Sequence, residues 1–366
     1  MKEKIKADLK YLTGLVAVDG FEFEVIKYLE PRLVKCCDHV EILGTGNVVA
    51  RKTGRNKGPV VVLVTHMDEI GLIVKNILNN GYIKFEKVGD YSDKTIPARK
   101  VWVQGEKGLV PGVIGMRPAH LLSAGETSAI QTAGQSYLDV GALSREEVEA
   151  LGITIGSRVV FQSDFMEMKN KDIISTRAID NRIGCAILLN LLENLKRDSF
   201  DGEVVGLFSV LEETTVAGAL SAYNYIEPDY IIAIDTVPCG DVPDIDTSAE
   251  LPIFLGGGPV VIVSQGDPNI ARFSSINHNI RRQINRAAAD LGIEKLQELV
   301  AVQNTYITDE ILAHMACSGI PAATIGVPRR YAHTPVELLN INDAVEVYNL
   351  LGRVLEMNGQ IKLGYI

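Results

Sequence analysis

Long apolar runs, cysteine pairs and an excess of positive charge are all missing from this 366-residue chain, and each absence excludes a class of function. No stretch approaches the ~18 uninterrupted apolar residues of a membrane-spanning helix, so no membrane partner is expected. The opening Met1-Lys2-Glu3-Lys4-Ile5-Lys6 is charged and has no apolar segment ahead of a small-residue cleavage site, so no secretory leader is expected. The five cysteines are Cys36, Cys37, Cys185, Cys239 and Cys317. They form no C-x-x-C pair and are odd in number, which favours reduced thiols in a cytoplasmic protein over disulfides or a thiolate metal site. Lys and Arg number 36 against 46 Asp and Glu, a formal net charge of −10. That balance argues against nucleic acid as the partner and against docking on anionic lipid. There is no G-x-S-x-G elbow, no motif for an activated thiolate and no Walker loop. Gly256-Gly257-Gly258-Pro259 lacks the Lys-Ser/Thr of a phosphate cradle and reads as a turn.

What is present is an ordinary globular composition, 46% hydrophobic, in a chain long enough for two or three domains. Ile5 to Leu33 carries apolar residues at helical spacing, broken at Val18-Asp19-Gly20. Val40 to Arg51 alternates. Pro59 to Thr65 is a short β-branched run of the kind that forms a buried parallel strand. From Gly71 to Phe165 the texture changes to short alternating runs separated by Gly, Asp and Pro, which predicts an inserted β-rich domain with one helix, Ser144 to Leu151. Ser144 and Glu147 there have capping-box spacing. The α/β texture then returns. Asn181 to Lys196 has one apolar helix face, and Val204 to Leu211, Tyr230 to Ile234 and Ala322 to Val327 read as buried strands. Further helices are expected over Ile276 to Leu291, Ile311 to Ser318 and Asn342 to Met357. The predicted class is therefore α/β, a mixed sheet flanked by helices. Residues 1–70 and 166–366 form the catalytic domain, and 71–165 are inserted into it.

The chemistry-bearing residues gather at the ends of these strands. Thr65-His66-Met67-Asp68, Glu212-Glu213 and Asp235-Thr236 each follow an apolar run. The strand at Ala322 leads to His333, and Asp180 opens the helix from Asn181. Singly, each has a plain reading: a polar turn, a solvated acidic pair, an N-cap, a loop histidine. Jointly they are two histidines and several carboxylates at the carboxyl ends of strands in one sheet, where ligands of open α/β sheets collect. Without a thiolate, that set suits Zn²⁺, Co²⁺ or Mn²⁺ rather than Ca²⁺. A pair of ions needs a shared carboxylate, terminal ligands on both sides and a base. Asp180 can bridge, with His66 and Asp235 on one ion and Glu213 and His333 on the other. Glu212 is left to handle protons, and Asp68 to orient His66. His39, His120, His278 and His314 lie outside the pattern.

Taken in order, Thr65-His66-Met67-Asp68-Glu69-Ile70-Gly71, Ala178-Ile179-Asp180-Asn181-Arg182-Ile183-Gly184, Glu212-Glu213, Asp235-Thr236 and Val327-Pro328-Arg329-Arg330-Tyr331-Ala332-His333-Thr334-Pro335 resemble the tetrahedral aminopeptidase family. Glutamyl and deblocking aminopeptidases belong to it, and endoglucanase names occur within it. Gly112 to Gly115, His120 to Leu122 and Asp139 to Ala142 extend the likeness into the inserted domain. The resemblance implies two zinc or cobalt ions per subunit on the ligands just given, with Asp68 and Glu212 as the catalytic pair. It also implies a cis Asp180–Asn181 bond, removal of N-terminal residues from short peptides with free N-termini, and dimers built through the inserted domain that assemble into twelve-subunit shells. Two segments depart from the family: Thr215 replaces a glycine after the Glu pair, and Tyr306-Ile307-Thr308-Asp309-Glu310 stands where Gly-Gly-Thr-Asp-Ala is usual. Both are expected near the substrate. The competing classes are a metal-dependent deacylase on the same site, a glucan hydrolase, which leaves the two histidines without a task, and a non-catalytic assembly protein, which has no reason to keep the whole ligand set.

Overall fold

The computed structural model describes residues 1–122, 130–267, 272–293, 296–301 and 306–364. Helices α1 (Lys2–Leu12) and α2 (Phe23–Cys36) open the chain. They are separated at the expected break, where Gly20 takes a φ of 77° that a side chain would resist. The alternating run after them is a hairpin, β1 (His39–Ile42) and β2 (Val48–Thr53). β3 (Val60–His66) follows.

The chain then leaves the sheet to build a closed barrel. β4 (Gly71–Ile77), β5 (Ile83–Val88), β6 (Lys100–Gly105), β7 (Gly108–Gly115), β8 (Tyr137–Asp139) and β9 (Arg158–Phe161) close in the order β4-β5-β8-β7-β6-β9. Inward residues such as Leu72, Phe85, Val101, Leu138 and Val159 form a core of their own. One helix, α3 (Arg145–Ala150), joins them, and the Ser144 hydroxyl accepts the Glu147 N–H at 3.3 Å. The Glu147 carboxylate accepts from Leu143, one residue earlier than a regular capping box. Residues 123–129 of the expected insert lie outside the described residues.

The large sheet resumes with β10 (Met166–Glu167) and β11 (Ile173–Thr176), then α4 (Ile179–Asn194), β12 (Glu203–Ser209), α5 (Glu212–Thr215) and α6 (Ala217–Ile226). After these come β13 (Tyr230–Pro238), β14 (Val260–Asp267), β15 (Arg272–Ser275), α7 (His278–Asp290), β16 (Gln297–Ala301), β17 (Ala322–Arg330), β18 (Glu337–Asn340) and α8 (Ile341–Glu356). The order is β1-β2-β12-β3-β13-β17-β18-β11-β10, with β14 on β17 and carrying β15 and β16. β12, β3, β13 and β17 run parallel at the centre. Along β3, Val61 and Leu63 face the core that holds α4, while Val62 and Val64 face the core that holds α6. That two-sided burial is why the strand is apolar at every position from Val60 to Val64. The expected α/β class, with a mixed sheet flanked by helices and a separate β-rich unit, is borne out.

Three details differ from expectation. α4 is buried on all sides from Ile179 to Leu192 rather than on one face, because it lies between the sheet and α1, α2 and α8. The segment expected as a helix from Ile311 is a 3₁₀ turn, Asp309–Met315. Asp235 lies inside its strand rather than at the end, since Asp235 to Pro238 continue to pair with Gly326 to Arg329. The alternation and length cues did not mark β14, β15, β16 or α6.

Candidate metal centre

The site is assembled at the carboxyl edge of the parallel strands. His66 is the last residue of β3, and its ring is buried. Its Nδ1 faces the main-chain carbonyl of Asp68 at 3.2 Å, while the Asp68 carboxylate is farther, at 3.6 Å. The expected His66–Asp68 contact therefore runs through the carbonyl. The carboxylate of Asp68 instead accepts the N–H groups of Glu212 (3.2 Å) and Glu213 (3.0 Å), which fixes the start of α5 beneath the site.

Asp180 sits in the first turn of α4 with non-helical angles, φ −76° and ψ 112°, and the bond to Asn181 is cis. α4 can come this close to β3 only because residue 184 is glycine. A Cβ there would lie 2.2 Å from the Thr65 hydroxyl oxygen and 2.3 Å from Asn181 Oδ1. The Asp180 carboxylate is shared. Its Oδ1 lies 3.1 Å from His66 Nε2, and its Oδ2 lies 3.3 Å from His333 Nε2 and 2.8 Å from Arg329 Nη2. Asp235 Oδ1 and Glu212 Oε2 each lie 3.8 Å from His66 Nε2. Glu213 Oε2 lies 3.6 Å from His333 Nε2. The ligand atoms of His66, Asp180 and Glu213 fall within 4.8 Å of one another, as do those of His66, Glu212 and Asp235.

His333 lies past β17 in a turn where its φ is 54°, an unusual value for a side-chain-bearing residue. Its N–H donates to Glu337 Oε1 at 3.0 Å, and its Nδ1 meets the main-chain carbonyl of Asp90 at 2.6 Å. Glu337 also accepts the Asp180 N–H at 3.2 Å and pairs with Arg329. Thus all seven expected residues, His66, Asp68, Asp180, Glu212, Glu213, Asp235 and His333, meet in one place. Arg329, Glu337 and Asp90 complete the frame and were not singled out from the sequence. Arg329 stands within the motif Val327 to Pro335 that carries His333. Glu337 and the Asp90 carbonyl had no local signal.

The electrostatics describe a cluster short of positive charge. Burial pushes the Glu212 carboxyl well above the usual range, and Asp235, Asp309 and Glu213 add to it against the pull of His66. Burial likewise carries Glu213 up to about 8. Burial raises Asp180 too, but Arg329 and the two histidines outweigh it and hold that carboxyl well below its ordinary value. Burial by itself lowers His333; Glu213 and Asp180 facing it reverse that and hold it at about 9. The buried Oε1 atoms of Glu212 and Glu213 have no hydrogen-bond partner. Buried carboxylate oxygens without a donor are costly and mark a place for a cation. With nitrogen and oxygen donors only, the residues fit divalent transition ions.

A cavity of about 960 Å³ opens over this cluster. Its outer wall is largely apolar, with Ile245, Leu251, Leu299, Val300 and Ile307, and carries Glu250 and Asp267 as well. Tyr306 also lines it, its hydroxyl donating to the Thr236 carbonyl at 2.5 Å. Both departing segments border the cavity, the first through Thr214 rather than through Thr215 itself. The Thr215 hydroxyl turns back to the Leu211 carbonyl and the Ala217 N–H, joining α5 to α6.

The fold is of the α/β class and the cluster offers donors of metal-binding type, and comparison with known proteins identifies the family. The model of the M42 glutamyl aminopeptidases matches residues 46–350. The chain belongs to that peptidase family. It is 31% identical to the lysyl aminopeptidase of Pyrococcus furiosus, over 95% of this chain and 96% of that protein. Among solved structures, an aminopeptidase from the archaeon Desulfurococcus kamchatkensis superposes with a TM-score of 0.90 at 28% identity, covering 97% of this chain and 95% of that one. The TET1 peptidase of Pyrococcus horikoshii, which can assemble into a tetrahedron or a large octahedral shell, gives 0.82 at 27% identity over 96% and 99%. Among the described residues no helix is long and apolar enough to cross a membrane.

Proposed function

We propose that this chain is a metal-dependent aminopeptidase of the cytoplasm that releases N-terminal residues one at a time from short peptides with a free N-terminus. The observation that carries this reading is the divided carboxylate of Asp180, whose two oxygens face His66 on one side and His333 on the other. His66, Asp180 and Asp235 hold one ion; Asp180, Glu213 and His333 hold the second. Zn²⁺ or Co²⁺ suits these donors best, with Mn²⁺ next. When bound, such a pair lowers the pKa of water and polarises a carbonyl. Glu212 takes the proton of the attacking water and passes it to the leaving amine, a task suited to a carboxyl whose proton affinity is raised by burial. Asp68 serves Glu212 by holding its backbone. The carboxylates around the cluster attract a free α-amino group, which favours the first peptide bond over internal ones.

The barrel, within domain boundaries at 71 and 165, carries the contacts of a homo-oligomer with dimer units, up to a dodecamer. Its support is the set of large apolar side chains it leaves exposed, Leu109, Val113, Met116, Leu121, Ile130 and Leu143, the last 82% exposed. Light scattering on a chain with the barrel replaced by a short linker tests this, and retention of the full assembly refutes it. The reaction is tested with a short peptide, its N-acetylated twin and a soluble β-glucan, each with and without chelator. Chelator-sensitive cleavage of the free peptide alone is expected. Chelator-insensitive release of reducing sugar, with the peptide intact, overturns the reading. Preferential release of the acetyl group from the twin instead favours the deacylase.

A further inference from the structure

The two histidines of the site are oriented by different parts of the molecule. His66 Nδ1 faces a carbonyl two residues along its own strand end, at Asp68. His333 Nδ1 faces a carbonyl 243 residues away in sequence, at Asp90, in the loop after β5 of the barrel. A carbonyl only accepts, so the proton is on Nδ1. In the neutral ring the lone pair is then on Nε2, the atom that faces Asp180 and Glu213.

That loop is pinned on both sides of Asp90. Gly89 has a φ of 87°, and a Cβ there would stand 2.6 Å from Ile70 Cγ2. The buried Tyr91 phenol donates to the Gly71 carbonyl at 2.6 Å, and its ring meets Phe161 edge-on with centroids 6.0 Å apart. Lys87 Nζ donates to the Tyr91 carbonyl at 2.7 Å and pairs with Asp93 at 3.1 Å. Such anchoring places one main-chain oxygen with little freedom.

We propose that the Asp90 carbonyl is a positioning contact for His333, through which the barrel sets the affinity of one of the two ions and leaves the other untouched. The inference rests on the two-ion reading above. Outer contacts of this kind on ligating histidines are worth roughly 10–100-fold in metal affinity.

The test uses the full chain and two substitutions that move the carbonyl without touching a ligand. Gly89→Ala forces the loop off Ile70. Tyr91→Phe keeps the ring and removes only the anchor to Gly71, so it decides the matter if Gly89→Ala fails to fold. Chelator-treated proteins are titrated with Co²⁺, following heat and visible absorption, with His333→Ala as reference. The wild type is expected to bind two equivalents. In the loop variants one equivalent keeps its affinity and the other weakens by roughly 10–100-fold, as it does more completely in His333→Ala. Activity lost at low metal returns with excess metal. Two equivalents at wild-type affinity in a folded Tyr91→Phe protein overturn the inference, and so does equal weakening of both. A wild-type chain that binds one ion or none overturns the two-ion reading, and this inference with it.

Discussion

The half of the site around His66 and the half around His333 present the same kinds of side chain, a histidine among carboxylates, in different settings. The His66 side chain is 2% exposed, and the residues that face it, Asp68, Asp180, Glu212 and Asp235, all come from the large sheet and the helices packed on it rather than from the barrel. The His333 side chain is 33% exposed, sits in a turn at positive φ and leans on the barrel. The difference shows how a site can combine permanence with adjustability. One ligand set is built into the core; the other closes against a second folding unit.

Asp180 is the residue that joins the halves, so its loss is expected to have the largest effect. Asp180→Ala should leave neither ion bound, which elemental analysis will show, with activity below detection. Metal retained at wild-type stoichiometry would break the comparison at its centre. Glu212→Gln should keep both ions and lose ~10²–10⁴-fold in kcat, the usual contribution of a positioned proton-transfer group. Equal metal loss in the two variants would void the division of roles between them.

Chelator should separate the halves in time. The ion held by His333 is expected to leave before the ion held by His66, giving two phases of release by stopped-flow; one phase would mean that the halves act as a unit. The pH dependence is a subtler probe. His333 is held at about 9 against its ordinary 6.5 in the ion-free protein. The folded form therefore keeps a proton that the unfolded chain gives up earlier. That stabilising contribution is complete below about 6.5 and fades as pH rises through about 9. The melting temperature of chelated wild type should drop over this window, with a shallower drop in His333→Ala. An ion binding at His333 displaces the same proton, so loading of this half strengthens with pH. The smallest effect belongs to the control. His39 is exposed and only loosely opposed to Glu41 at 3.8 Å, so His39→Ala should change stability by less than about 0.5 kcal/mol and leave metal content unchanged.

These two halves also mark what could be read from the sequence. His66, Glu212 and Glu213 follow largely apolar runs, and Asp180 opens a helix; such local cues place residues at one edge of a sheet by topology alone. The barrel was legible for the same reason, as a change from long buried runs to short alternating ones. The frame around His333 was not. The Glu337 carboxylate is met by main-chain N–H groups of residues distant or unpatterned in sequence, and the Asp90 carbonyl carries no side-chain identity to read. The all-round burial of α4 was missed because polar Asn181, Arg182 and Asn190 interrupt the apolar pattern. Arg182 meets the Leu12 carbonyl and Glu69 inside the core, so its charge is answered there and not by water.

Gly184 has a consequence of a different order. Since α4 rests on β3 through a position with no side chain, the approach of the two main chains that carry Asp180 and His66 is close and fixed. The apolar and acidic wall beyond, from Ile245 to Ile307, is a separate surface. Changes there can alter which peptides are admitted while the spacing of the reacting centre stays as it is. The molecule is in this sense a fixed die in an exchangeable holder: descent can revise its diet repeatedly without having to reinvent its chemistry.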